Sequence, residues 1–78
     1  MKNRFFLRLG ADAPDEVTAY QSLRAAVQGY RDTATELARY GQSLEGSIHL
    51  APSRGAVAEY PDFVLSLGPR GGVRVEGA

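Results

Sequence analysis

The stretch PDEVTAYQSLRAAVQGYRDTATELARYG, residues 14–41, decides how the rest of the chain is read. Its apolar positions Tyr20, Leu23, Val27, Tyr30, Ala34 and Leu37 recur at alternating steps of three and four. That is the period of one helix face and not the two-residue period of a strand. The spacing predicts one long helix over residues 13–40. Asp12 would cap it, Pro14 would sit in its tolerant first turn, and Asp15 and Glu16 would lie at the positive end of its dipole. Arg39 suits the negative end, and Gly41 would close the helix as a left-handed cap.

Gly29 stands inside this run, where glycine costs about 1 kcal/mol relative to alanine. A helix over residues 13–40 would be roughly 40 Å long, whereas strands of six to eight residues span about 20–27 Å. Either the helix bends near Gly29 or its excess length packs against a second copy of the chain, and the expectation is the second, with Gly29, Ala25 and Ala26 letting the backbones approach closely. Tyr20, Gly29, Tyr30, Ala34 and Leu37 are the candidate interface residues of that homodimer.

On either side of the helix the pattern alternates. In RFFLRL, residues 4–9, Phe5, Leu7 and Leu9 share one face and Arg4, Phe6 and Arg8 the other. LEGSIHL, residues 44–50, places Leu44, Gly46, Ile48 and Leu50 inward and Glu45, Ser47 and His49 outward. DFVLSL and VRVE read as two further strands joined by GPRGG, a glycine-rich hairpin loop in which Gly71 or Gly72 takes a positive φ. The connector APSRGAVAEYP is long for a wholly irregular loop, and a short helical turn is expected at residues 55–59.

The fold class is therefore α+β: one long helix on one face of a four-stranded mixed, mainly antiparallel sheet, in the order β-α-β-β-β. Phe5, Leu7, Leu9, Ile48, Leu50, Phe63, Leu65, Leu67, Val73 and Val75 would line the covered face. No repeat or linker divides the chain, so residues 1–78 are read as one domain.

A domain of 78 residues buries only about 60% of the surface its unfolded chain exposes. There is no cysteine, hence no disulfide and no thiolate zinc site. Nine Lys and Arg balance nine Asp and Glu, so no net field draws the chain to nucleic acid or to an anionic membrane. No apolar run approaches the roughly 20 residues of a spanning helix, and Arg8 interrupts the amino-terminal one after three apolar residues. The expectation is a soluble cytoplasmic protein without membrane contact.

Chemistry has little to work with. His49 is the one histidine and has no visible partner for a catalytic pair, so it is read as an exposed or interface residue. Asp12, Asp15 and Glu16 lack the spacing of a calcium loop and are explained by capping. GPRGG runs into a strand, unlike a phosphate-cradling loop that runs into a helix, so it is read as a plain hairpin turn, with an anion or partner contact through Arg70 as the alternative. Neither catalytic, metal nor cofactor residues are assigned.

The outward sheet face would present Arg4, Phe6 and Arg8, then His49 and Arg74, and with Arg70 these are the candidate partner-binding residues. The function read from the sequence is a non-enzymatic protein-interaction domain that self-associates as a homodimer. The alternative is single-stranded nucleic acid bound through Arg4, Phe6, Arg8 and Arg74, the ring stacking on a base and the guanidinium groups meeting phosphate.

Overall fold

The computed structural model describes residues 3–10, 17–58 and 60–77. Five strands, one α-helix and one 3₁₀ turn follow in the order β1 (Arg4–Leu9), β2 (Val17–Tyr20), α1 (Leu23–Ala38), β3 (Gly46–Ala51), the turn Arg54–Ala56, β4 (Phe63–Leu67) and β5 (Val73–Gly77). The strands form a single sheet in the spatial order β2-β1-β3-β4-β5, and every neighbouring pair is antiparallel. The class is α+β as the sequence implies, with five strands in place of four and an antiparallel sheet in place of a mixed one.

The difference lies in the start of the helix. Val17–Tyr20 is a strand that pairs with β1, Phe6 opposite Ala19 and Arg8 opposite Val17. The helix begins only at Leu23, capped by Ser22, whose hydroxyl accepts from the Ala25 amide at 3.1 Å. The proposed Asp12 cap, with Pro14, Asp15 and Glu16, lies outside the described residues. At its other end the helix closes as read: Gly41 has φ 72, and the Gln42 amide donates back to the Leu37 carbonyl at 3.1 Å.

The added strand changes the topology. The chain reverses from β1 into β2 before the helix begins, so α1 carries it from β2 to β3, two parallel strands lying on either side of β1. A helical crossover is the usual way to join parallel strands. Sixteen helical residues extend about 24 Å, comparable with the sheet below, and the overhang expected of a longer helix does not arise.

One face of the sheet packs on α1 through Leu7, Ile48 and Leu65 against Ala26, Tyr30 and Ala34. Tyr30 is fully buried, and its hydroxyl donates to the Leu44 carbonyl at 2.6 Å. Burial first, and the Glu45 carboxylate second, push its phenol above the ordinary value, so it stays protonated and keeps donating. Its ring abuts Gly46 of β3: a Cβ there would fall 2.5 Å from Tyr30 Cδ1.

Gly29 has a similar explanation within the chain. The Tyr20 ring, at the end of β2, lies over it, and a Cβ on Gly29 would fall 2.7 Å from Tyr20 Cζ and closer still to its hydroxyl. Gly29→Ala should therefore destabilise the fold by about 1 kcal/mol, because Tyr20 must swing out of its seat. In a Tyr20→Ala background the same change should stabilise by up to about 1 kcal/mol, as alanine does in an unobstructed helix. Urea unfolding of the four variants checks this, and an equal sign in both backgrounds would mean that the ring does not occupy that seat.

The second face is also covered in part. Phe6, Val17 and Ala51 form a smaller cluster against which Ala19 and Val57 pack, Val57 following the 3₁₀ turn in the connector from β3 to β4. The helical turn is present at Arg54–Ala56, beginning one residue before the expected range. Asp62 pins the end of the connector to β3: its amide donates to the Ile48 carbonyl at 2.9 Å, and its carboxylate accepts from the Leu50 amide at 2.7 Å.

Candidate interaction surface

Of the residues read as a partner-binding face, Arg4, Arg70 and Arg74 are exposed. Phe6 is 2% exposed and His49 1%, because the connector folds over them. Both are corrections to the reading of an open face: alternation placed them on the right side of the sheet, and the connector then covered that side. A buried Phe6 offers no ring to a base, which removes the aromatic from the nucleic-acid alternative. Arg8 is half-buried, and its Nε has no hydrogen-bond partner among the described residues.

His49 Nε2 shares a hydrogen bond with the Ser47 hydroxyl at 3.1 Å, and its Nδ1 is buried without a partner among the described residues. Burial, and then the positive charge of Arg8, hold its pKa below the ordinary 6.5, against the opposing pull of the Tyr60 and Ala58 carbonyls and the Asp62 carboxylate. The folded state thus favours the neutral ring. As pH falls through about 6.5 the unfolded chain takes up the proton first, so stability declines from there down to the lower folded pKa and then levels off. The urea midpoint should fall between about pH 8 and pH 5, and a His49→Gln variant should lose most of that slope, since no other histidine titrates in the window.

Of the helix residues read as an interface, Tyr30, Ala34 and Tyr20 belong to the chain's own core, while Leu37 packs in neither core cluster. Tyr30 and Ala34 are buried on the sheet, Tyr20 and Gly29 meet each other, and Leu37 is half-buried near the end of α1. From Leu23 to Ala34 the apolar stripe is the face turned to the sheet.

What remains open is the far edge. α1 packs over β1, β2, β3 and β4, and β5 lies at the far edge of the sheet, where Val73 still packs against the core. Val75, on the helix side opposite Leu65, is 40% exposed instead of lining the covered face. The hairpin before it turns through Gly68–Gly71, with φ 82 at Gly71, so the GPRGG loop is a turn with Arg70 at its exposed tip.

The hairpin also sets which backbone groups β5 leaves unused. The Gly68 amide donates to the Gly72 carbonyl at 2.7 Å. Antiparallel ladders alternate between bonded and non-bonded pairs, so counting onward makes Ser66 with Arg74 and Val64 with Glu76 the bonded pairs. The amides and carbonyls of Val73, Val75 and Gly77 then point outward, along an edge that no described strand pairs. Arg74 and Glu76 project from the face opposite α1 and pair with each other at 3.0 Å.

On the helix side, a cleft of about 590 Å³ separates the end of α1 from the β4–β5 turn, with Ala34, Ala38, Leu44, Leu67 and Pro69 as apolar lining and Glu45 as its charged member. Among the described residues no three His, Asp or Glu side chains come together as metal ligands would, and no described helix is long and apolar enough to cross a membrane. No family profile, curated protein or solved structure matches this chain.

Proposed function

We propose that the chain is a small non-catalytic interaction domain that self-associates as a homodimer, and that the contact is made by the open edge of β5 and not by the helix stripe. The observation that carries this reading is the combination, at β5, of backbone groups that no described strand pairs and a valine left 40% exposed on the helix side. An exposed sheet edge is a ready template for another strand, and pairing supplies main-chain hydrogen bonds while covering Val75. A contact of one strand's length is small, which places the expected dissociation constant in the micromolar range, on the order of 10⁻⁶ M or weaker.

Sedimentation across a concentration series tests the proposal. The mass should rise from 8.4 kDa towards twice that value, and Val75→Pro should abolish the rise while the fold survives, because the amide it removes faces outward and not into the β4 ladder. A wild-type chain that stays monomeric at high micromolar concentration overturns the reading.

A further inference from the structure

We infer that the β5 strands of two copies pair antiparallel about a two-fold axis through Val75, so that Arg74 of each copy lies opposite Glu76 of the other. The inference rests on self-association through β5 and specifies its register. Three constraints select it, the first being hydrogen bonding. Only Val73, Val75 and Gly77 turn free amide and carbonyl groups outward, so bonded pairs across the axis must join members of that set. Any register offset by one residue would instead aim at the groups of Arg74 and Glu76, which are already engaged with Ser66 and Val64.

The second constraint is charge. Among the registers that satisfy the backbone, sliding two residues one way sets Arg74 directly against Arg74 of the other copy, and sliding the other way sets Glu76 against Glu76. Like charges directly opposite are destabilising and opposite charges stabilising. Only the register centred on Val75 makes both cross-strand pairs opposite in sign. Those pairs fall at non-bonded positions, where side chains stand closest.

The third is the apolar face. Residues directly opposite in a sheet point to the same side, so Val75 meets Val75 on the side that carries α1, covering the valine the helix leaves exposed. Both helices then lie on one face of a continuous sheet. Each copy keeps its Arg74 and Glu76 exposed until it pairs, and their contact within the strand exchanges for two contacts across the axis.

Charge reversal with mixing is the test. Arg74→Glu alone should weaken association on the order of tenfold or more, as should Glu76→Arg, because each turns both cross-strand pairs into like charges. Mixing the two single variants in equal amounts should restore a dimer containing one of each, and the doubly swapped chain Arg74→Glu/Glu76→Arg should self-associate as the wild type does. Both side chains are exposed, and circular dichroism confirms that each variant is folded before its mass is read. If the wild type dimerises but the single variants dimerise equally well, or their mixture gains nothing, the register is wrong while the edge contact stands. If the wild type never dimerises, the charges serve to keep other strands away, and the β5 contact falls with its register.

Discussion

Phe6→Ala should cost about 3–5 kcal/mol, the usual range for removing a fully buried aromatic side chain. For a chain of this length, total stability on the order of 4–12 kcal/mol is ordinary, so the change would leave a domain close to its unfolding threshold at ambient temperature. Phe6 sits on the face turned away from the helix, where Val17, Ala51 and Val57 close around it. An outward, solvated Phe6 would cost about 0.5 kcal/mol or less. Urea unfolding of Phe6→Ala beside Arg4→Ala, an exposed neighbour on the same face, separates the two cases. A cost as small as that of Arg4→Ala would mean that the connector does not pack on this side.

Gly46→Val is the second large effect. A Cβ at this position already falls 2.5 Å from one ring carbon of Tyr30 and 2.9 Å from the next, and valine adds two methyl groups beyond it. The ring has nowhere to go: it is fully buried, and its hydroxyl is held by the Leu44 carbonyl. Overpacking a tight core costs roughly 1–3 kcal/mol for modest insertions. Gly46→Ala should fall within that range, and Gly46→Val should lie at about 3 kcal/mol or above it. Thermal unfolding of both, with Gly72→Val as a control at a glycine with open space around it, checks the order. A Gly46→Val chain as stable as the control would show that the Tyr30 ring does not lie on β3.

The strands β1, β3, β4 and β5 and the GPRGG turn are legible because alternation, glycine and proline act locally. From Leu23 onward the helix is legible too, since Ala26, Tyr30 and Ala34 keep one face turned to the sheet over several turns. β2 is not, for a particular reason: Val17, Tyr20 and Leu23 stand three apart, so a four-residue strand imitates a helix stripe where it abuts one. The signals on the other side are local and quieter, namely β-branched Val17 and Thr18, and Ser22 in the capping position. Reading Ser22 as the cap would have shortened the helix and removed the argument that it outruns its sheet.

The burial of Phe6 and His49 was out of reach for another reason. It depends on where an irregular connector lies, and connectors carry no period from which a covered face can be inferred. The same holds for Gly29 and Gly46, whose neighbours Tyr20 and Tyr30 come from other elements. Sequence marks such glycines as costly but does not say what lies over them. The open edge of β5 follows from strand order, which patterning does not determine.

The position of β1 in the sheet bears on how the chain reaches this structure. Both the β4–β5 hairpin and α1 assemble from residues close in sequence, whereas β1 must find β3 across the whole of β2 and the helix. Closing that long loop loses chain entropy before any ladder bond is gained, so the pairing of β1 with β3 carries the largest closure cost in the fold. Until it occurs, the strand that ends up between β2 and β3 is itself an unprotected edge. Nascent or thermally opened chains are therefore exposed to mispairing at β1, an edge that the finished fold hides between β2 and β3, while β2 and β5 remain the outer strands.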